Sequence, residues 1–335
     1  MPFIDEVLKQ KSISIVGMEK NTGKTECLNY LLSRLNRLHK KIAVTSIGID
    51  GERVDQVTFT PKPEIYLEKG NLFVTSELFY GQKSLVSEIL ETTESIGMNG
   101  KMITARVIVS GKVILAGPTN CTSMKQLIDH LPQLGAEIVL IDGATSRKSL
   151  GSPSLSESMI LTTGAAISPG INVLVSKTVF TYQLINLPKY ETPFFDTLIE
   201  KEQGIWALQE DDVIDLQIQS ALMLDNPTQK LTAHSSTLFV SGMVTDKLLN
   251  HLRIHKEAVN TTVVVKDFTK LFITPKVYHS FMQSGGKIEV LLKTRLIAVC
   301  ANPTSPQGYL LNSEQLCNEL SQALGVPVFD VKKER

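Results

Sequence analysis

The stretch Ile13-Ser14-Ile15-Val16-Gly17-Met18-Glu19-Lys20-Asn21-Thr22-Gly23-Lys24-Thr25 holds the residues best suited to chemistry. Glycine at position 23 lets the backbone approach an anion closely, so that successive N–H groups point at it. Lys24 is placed to reach the β- and γ-phosphates of a nucleotide, and the Thr25 hydroxyl to sit on Mg²⁺. A helix opening near Gly23 adds the positive end of its dipole. Gly17, Asn21, Thr22 and Glu26 complete the positions expected to touch the nucleotide. The spacing departs from the usual G-x-x-x-x-G-K-[ST]: Met18 stands in the place of the first glycine, and Gly17 lies six residues before Gly23. A Gly-Lys-Thr tripeptide is common by chance, and a strand–turn–helix without ligand is the alternative. An apolar strand before the loop and an amphipathic helix after it favour phosphate binding.

Asp142 is the second element. The run Glu137-Ile138-Val139-Leu140-Ile141-Asp142-Gly143 reads as a buried strand ending in an acid. At the carboxyl end of a parallel strand near Thr25, such a carboxylate can hold Mg²⁺ or its water. Strand-end acids are common in α/β proteins, so Asp142 takes its weight from Gly23-Lys24-Thr25. Asp50 follows the second strand at the same edge. It is a candidate for holding the cation or orienting an attacking group, or else it forms a turn with Gly51. Arg147, with Lys148, follows Asp142 in a Ser-rich loop. It could stabilise charge on a γ-phosphate, or the two could be a solvated basic pair. Asn302, in Ala301-Asn302-Pro303-Thr304, could read a purine edge or initiate a Pro-rich turn. Asp267 is another strand-end acid with the same two readings. Candidate catalytic residues are therefore Lys24, Asp50, Asp142 and Arg147, and candidate cation ligands are Thr25, Asp50 and Asp142. His251 and His255 share a helix face without a third ligand.

The chain has 335 residues, 42% of them hydrophobic and 20% charged, enough for a sizeable core. Lys+Arg and Asp+Glu are both 34, so no net charge drives nucleic-acid binding. Cys27, Cys121, Cys300 and Cys317 show no C-x-x-C pair and read as reduced thiols. No apolar run approaches membrane length, and residues 1–11 are short and charged. A cytoplasmic location is the expectation.

Leu28, Leu31, Leu32, Leu35 and Leu38 recur at helical spacing over 26–38. Residues 41–48 read as the second parallel strand, making 13–48 a right-handed βαβ unit. Hairpins are expected at 64–75 and 102–116, with a polar-faced helix over 82–93 between them. A helix over 122–134 is expected to be capped by Thr122 or Ser123. The Ser-, Thr- and Gly-rich stretch 144–170 reads as a functional loop region. A helix is expected over 171–187, and 190–235 gives no clear pattern. Strands at 237–241, 262–265, 288–292, 296–300 and 326–331 then alternate with helices near 245–255, 275–284 and 313–324. The fold class expected is α/β: a P-loop NTPase-like, mostly parallel sheet flanked by helices, with β-hairpin additions and a second α/β region. The expected division is a nucleotide-binding domain over 1–170, an insertion or linker over 171–235, and a C-terminal α/β region over 236–335.

The form Gly17-(five residues)-Gly23-Lys24-Thr25 resembles the loop of dethiobiotin synthetase, with Glu19 where that family usually has an acid. Lys20-Asn21-Thr22-Gly23-Lys24-Thr25 is similar to the loop of MobB proteins. The extra lysine of the MinD/ParA branch would fall on Glu19, so that branch is not supported. The runs SISIVGMEKNTGKTECLNYLL, TSIGIDGE, TPKPEIYLEKG, VILAGPTN, VLIDGATSRKSLGSPSLSES, VVVKDFTKLFI and ANPTSPQGY resemble the KamB family over most of the chain. KamB is the proposed small reactivase subunit of adenosylcobalamin-dependent lysine and ornithine aminomutases. It is thought to work with KamC, an ATPase resembling MutS. The resemblance implies that Lys24, Thr25 and Asp142 handle ATP or GTP with Mg²⁺, and that 142–157 is a family signature. It implies as partners a MutS-like ATPase subunit and an aminomutase, and as function the exchange of damaged cofactor. It assigns no role to Arg147 or Asn302. Two other readings stay open: a dethiobiotin-synthetase-like ligase or kinase, and a non-catalytic nucleotide sensor or scaffold.

Overall fold

Buried, mostly apolar runs of five to seven residues form the inner strands, because a parallel sheet covered on both faces has no polar side to show. The computed structural model describes residues 2–47, 65–97, 100–143, 152–224 and 231–334. The chain divides into two compact units, Met1–Thr181 with Arg295–Arg335, and Tyr182–Thr294.

The first unit opens with α1 (Ile4–Val7), β1 (Ser12–Gly17), α2 (Lys24–Arg37) and β2 (Ile42–Ser46). Then come β3 (Ile65–Leu67), β4 (Leu72–Ser76), α3 (Glu77–Tyr80), β5 (Val86–Gly97), β6 (Gly100–Val109) and β7 (Gly111–Val113). After α4 (Cys121–His130), β8 (Ile138–Asp142) and β9 (Ser158–Gly164), the division between units falls inside α5 (Ile171–Ile185). The second unit holds α6 (Phe195–Glu200), β10 (Ile205–Leu208), β11 (Val213–Asp215), β12 (Thr237–Val240), β13 (Val244–Thr245) and α7 (Asp246–Ile254). It ends with β14 (Thr262–Val265), β15 (Leu271–Phe272), α8 (Pro275–Gln283) and β16 (Lys287–Val290). The chain re-enters the first unit as β17 (Leu296–Asn302), α9 (Ser313–Leu324) and β18 (Val328–Phe329).

The first unit carries a nine-stranded sheet in the order β18-β17-β9-β1-β8-β2-β4-β6-β5. From β18 to β4 every pairing is parallel; β6 and β5 join antiparallel. The expected α/β class and mostly parallel sheet are thus present. Ile13 and Ile15 of β1, Ile42 and Val44 of β2, and Ile138 and Leu140 of β8 pack with Leu28, Leu31, Leu32 and Leu35 of α2 in one core. Each of those fully buried leucines contributes roughly 1.5–3 kcal/mol. The period of two then places Gly17, Ser46 and Asp142 on the same face of the sheet as α2. The second unit has its own sheet, β11-β10-β12-β14-β16, and a core around Leu198, Leu208, Phe239, Val264 and Leu291.

Several local expectations are corrected. Residues 86–97 are strand β5 rather than helix, paired along β6. The two expected hairpins do not form: β3 pairs with β7, while β4 lies between β2 and β6. Glycine turns at Lys69-Gly70 and Ser110-Gly111 marked chain reversals but not which strands would pair. α4 is capped by Asn120, whose side chain accepts from Ser123 N–H, not by Thr122 or Ser123. β8 separates β1 from β2, so the first βαβ unit spans a strand contributed later. β17 pairs with β9 and returns residues 295–335 to the first unit. Among the described residues, no helix is long and apolar enough to cross a membrane.

Candidate phosphate-binding site

β1 is flanked by β8 and β9, with Ile15 opposite Asp142 and Gly17 opposite Thr162. Beyond Gly17 the chain turns through two left-handed residues, Asn21 (φ 62°) and Gly23 (φ 97°). Gly23 is the N-cap of the 14-residue α2, and Cys27 N–H donates to its carbonyl. Glycine at the N-cap brings no capping side chain, and a helix N-terminus is a favourable place for an anion.

The loop is pinned from below. Met18 N–H donates to Thr162 O at 3.0 Å. Thr22 is buried, with Oγ1 donating to Glu19 O at 2.9 Å and lying 3.1 Å from Thr162 Oγ1. A Cβ on Gly17 would come within 2.7 Å of Thr22 Oγ1 and 3.1 Å of Lys24 Cδ, so only glycine fits where the strand meets the loop. Lys24 is buried at the head of α2 and Thr25 is half-buried beside it. Asp142 is 3% exposed at the end of β8.

Gly17, Asn21, Thr22, Gly23, Lys24, Thr25 and Glu26 are thus gathered in one loop and helix start, with Asp142 on the neighbouring strand. Glu26 pairs with Lys332 at 3.4 Å, and exposed Glu19 faces Lys177 at 3.7 Å. Asn302, at the end of β17, touches the loop directly: its Nδ2 donates to Asn21 O at 3.1 Å, and its Oδ1 accepts from Thr304 N–H at 3.2 Å. A small crevice beside the loop reaches from Gly23 and Glu26 to Asn302, Asp330 and Lys332. Asp50, Arg147 and Lys148 lie outside the described residues. Asp267 caps a short turn in the second unit, accepting from the N–H and hydroxyl of Thr269.

Sequence reasoning missed Thr162, which anchors the loop from β9. Ser158–Gly164 was read as loop because of its hydroxyls, yet every residue is buried. Thr163 Oγ1 meets Thr178 Oγ1 at 2.8 Å and Ser158 Oγ donates to Ser12 O at 3.4 Å. The apolar core Met159-Ile160-Leu161 was the available signal.

Cys27 and Cys300 are buried with sulfurs 3.8 Å apart; Cys317 is half-buried and Cys121 exposed. The hydrogen bond to Cys27 and burial push the Cys300 thiol well above its ordinary range. No group of three or more His, Cys, Asp or Glu able to hold a metal occurs among the described residues. Thr25 and Asp142 offer the hard oxygen donors that suit Mg²⁺, a cation usually held by one or two protein oxygens and the phosphates themselves.

No protein-family model matches this chain, and no curated protein matches it. Among solved structures it is similar to pNOB8 ParA bound to nonspecific DNA, at 12% identity and a TM-score of 0.27, over 54% of this chain and 62% of that one. It is also similar to pNOB8 ParA in a second structure, at 12% identity and a TM-score of 0.28, over 79% of this chain and 76% of that one. The chain spans less than two thirds of the length of the first. The strand order above, not this likeness, establishes the α/β fold.

Proposed function

We propose that the first unit binds a nucleoside triphosphate with Mg²⁺ on the loop between β1 and α2. The observation that carries this reading is the left-handed Asn21–Gly23 turn running into an α2 without a side-chain cap. The loop's N–H groups and the start of the helix would hold the phosphates. Lys24 would neutralise their charge, and Thr25 with Asp142 would hold the cation. When bound, Mg²⁺ would offset charge on the phosphate oxygens. Asp50 and Arg147 remain part of the proposal as further ligand and charge-stabilising groups.

The decisive test is thermal unfolding of wild type and Lys24→Ala with ATP and with GTP, each with and without Mg²⁺. Ligand at about 100 times its Kd stabilises by roughly 2.7 kcal/mol. A Mg²⁺-dependent rise lost in Lys24→Ala is expected. An equal rise in both proteins, or none with either nucleotide, sinks the reading.

The finer reading is a reactivating factor for an adenosylcobalamin-dependent aminomutase, working with a MutS-like ATPase. The sequence resemblance to the KamB family supports it. An inactivated aminomutase should recover faster with this protein, its partner ATPase and Mg-ATP than without it; equal recovery ends the idea. The Gly17-(five residues)-Gly23-Lys24-Thr25 spacing supports a second reading, a dethiobiotin-synthetase-like ligase or kinase. Phosphate release that needs an added metabolite but no partner would select it.

A further inference from the structure

We infer that Asn302 is a positioning residue for the phosphate loop, acting on its backbone rather than on a nucleotide base. The inference rests on the nucleotide reading above.

Asn302 is fixed on three sides. It lies opposite Gly164 in the β9–β17 pairing, and its carbonyl accepts from Ala165 N–H at 2.8 Å. Its Oδ1 accepts from Thr304 N–H at 3.2 Å, which sets the rotamer of the side chain. Its Nδ2 is then aimed at the carbonyl of Asn21, 3.1 Å away. Two glycines make room for it: a Cβ on Gly164 would lie 2.3 Å from Asn302 O, and a Cβ on Gly23 would lie 2.9 Å from Asn302 Cβ.

The bond to Asn21 O controls more than one atom. In a trans peptide the C=O of one residue and the N–H of the next point in opposite directions. Holding Asn21 O toward β17 therefore turns Thr22 N–H away from β17 and fixes the entry to left-handed Gly23. Reading a purine edge takes both the donor and the acceptor of an asparagine amide. Here one N–H of the amide is held by the loop and one lone pair of Oδ1 by Thr304, which turns the amide toward the loop backbone.

The two roles separate by ligand. Affinities of full-length wild type, Asn302→Ala and Asn302→Asp for Mg-ATP, Mg-GTP and inorganic tripolyphosphate are measured by calorimetry, with melting of each unliganded protein. Tripolyphosphate has no base, so a positioning residue affects all three alike. Asn302→Ala is expected to weaken all three by the same factor, roughly fivefold for one lost hydrogen bond. Asn302→Asp keeps the size and the bond to Thr304 but opposes Asn21 O with a carboxylate oxygen. It is expected to weaken all three further, by about tenfold or more, and it serves if the alanine variant does not fold. A loss confined to one nucleotide, with tripolyphosphate unaffected, makes Asn302 a base reader and overturns the inference. Variants that melt earlier yet bind all three ligands like wild type overturn it too. Wild type that binds none of them removes the nucleotide reading and this inference with it.

Discussion

Two strand–loop–helix units of this chain share a local grammar and differ in what occupies the helix start. In the first unit β1 runs through Gly17–Gly23 into α2; in the second, β12 runs through Ser241-Gly242-Met243 and β13 into α7. Thr245, the N-cap of α7, provides no side-chain cap among the described residues, as Gly23 provides none for α2. At α7, however, Asp246 fills the first turn, and its two oxygens accept from the N–H and hydroxyl of Thr274 at 2.8 and 2.9 Å. β13 also pairs with β15, closing the loop with backbone bonds. That carboxylate places negative charge at the positive end of α7, and a phosphate would meet like charge there. At α2 the first turn presents Lys24 and Thr25 behind a left-handed glycine. Both first turns carry an acid, Glu26 at α2 and Asp246 at α7; what sets α2 apart is a left-handed glycine at its N-cap with Lys24 directly after it, while Glu26 is paired with Lys332.

The largest test of this contrast is Gly23→Val. Its φ of 97° and the 2.9 Å approach of Asn302 Cβ leave no room for a branched side chain. A loss of about 2 kcal/mol in chemical unfolding is expected, together with disappearance of nucleotide-dependent stabilisation; a variant that still responds to nucleotide contradicts the loop geometry. Next is Asp246→Asn, which should cost about 1–2 kcal/mol by weakening charge-assisted bonds to Thr274 while leaving nucleotide affinity unchanged by calorimetry. If affinity falls as well, the two loops are not independent. Ser46→Ala should move stability the other way. Ser46 is fully buried beside Asp142, and its Oγ has no hydrogen-bond partner among the described residues. Removing it should raise stability by about 1 kcal/mol, seen as a higher denaturation midpoint with unchanged slope.

The smallest effect concerns Glu137, whose carboxylate is held below the usual Glu range by Lys41 N–H first and then by Lys40. A depressed carboxylate contributes stability that is present above its unfolded value and lost as pH falls through the folded one. Because the pair is exposed, Glu137→Gln should remove only a few tenths of a kcal/mol at neutral pH. The difference from wild type should vanish in acid unfolding series; a gap that widens as pH falls reverses the sign.

Where local chemistry decides structure, the sequence was readable. The leucine spacing of α2, the apolar run of β8 ending in Asp142, and the helix Ser313–Leu324 all lie where periodicity put them. Strand β9 escaped because hydroxyls look polar one at a time, while in the fold they satisfy one another or the backbone of β1. β5 escaped because its acids Glu88, Glu91 and Glu94 recur every three residues, which reads as a polar helix face, while pairing with β6 makes it a strand. Within the site, the loop and Asp142 were legible from spacing. Thr162 and the actual partners of Asn302 were not, since both depend on β9 and β17 meeting across the sheet.

The return of the chain to its first unit also sets a timetable. Asn302 bonds to Asn21 across 281 residues of sequence, with the whole of Tyr182–Thr294 made in between. At roughly 5–20 residues per second of synthesis, the loop exists for on the order of tens of seconds before its outer brace leaves the ribosome. During that interval β9 has an open edge awaiting β17, a place for mispairing or a chaperone. Nascent chains stalled at increasing lengths should therefore gain nucleotide protection against protease only after β17 emerges, late in synthesis rather than when the loop itself is complete.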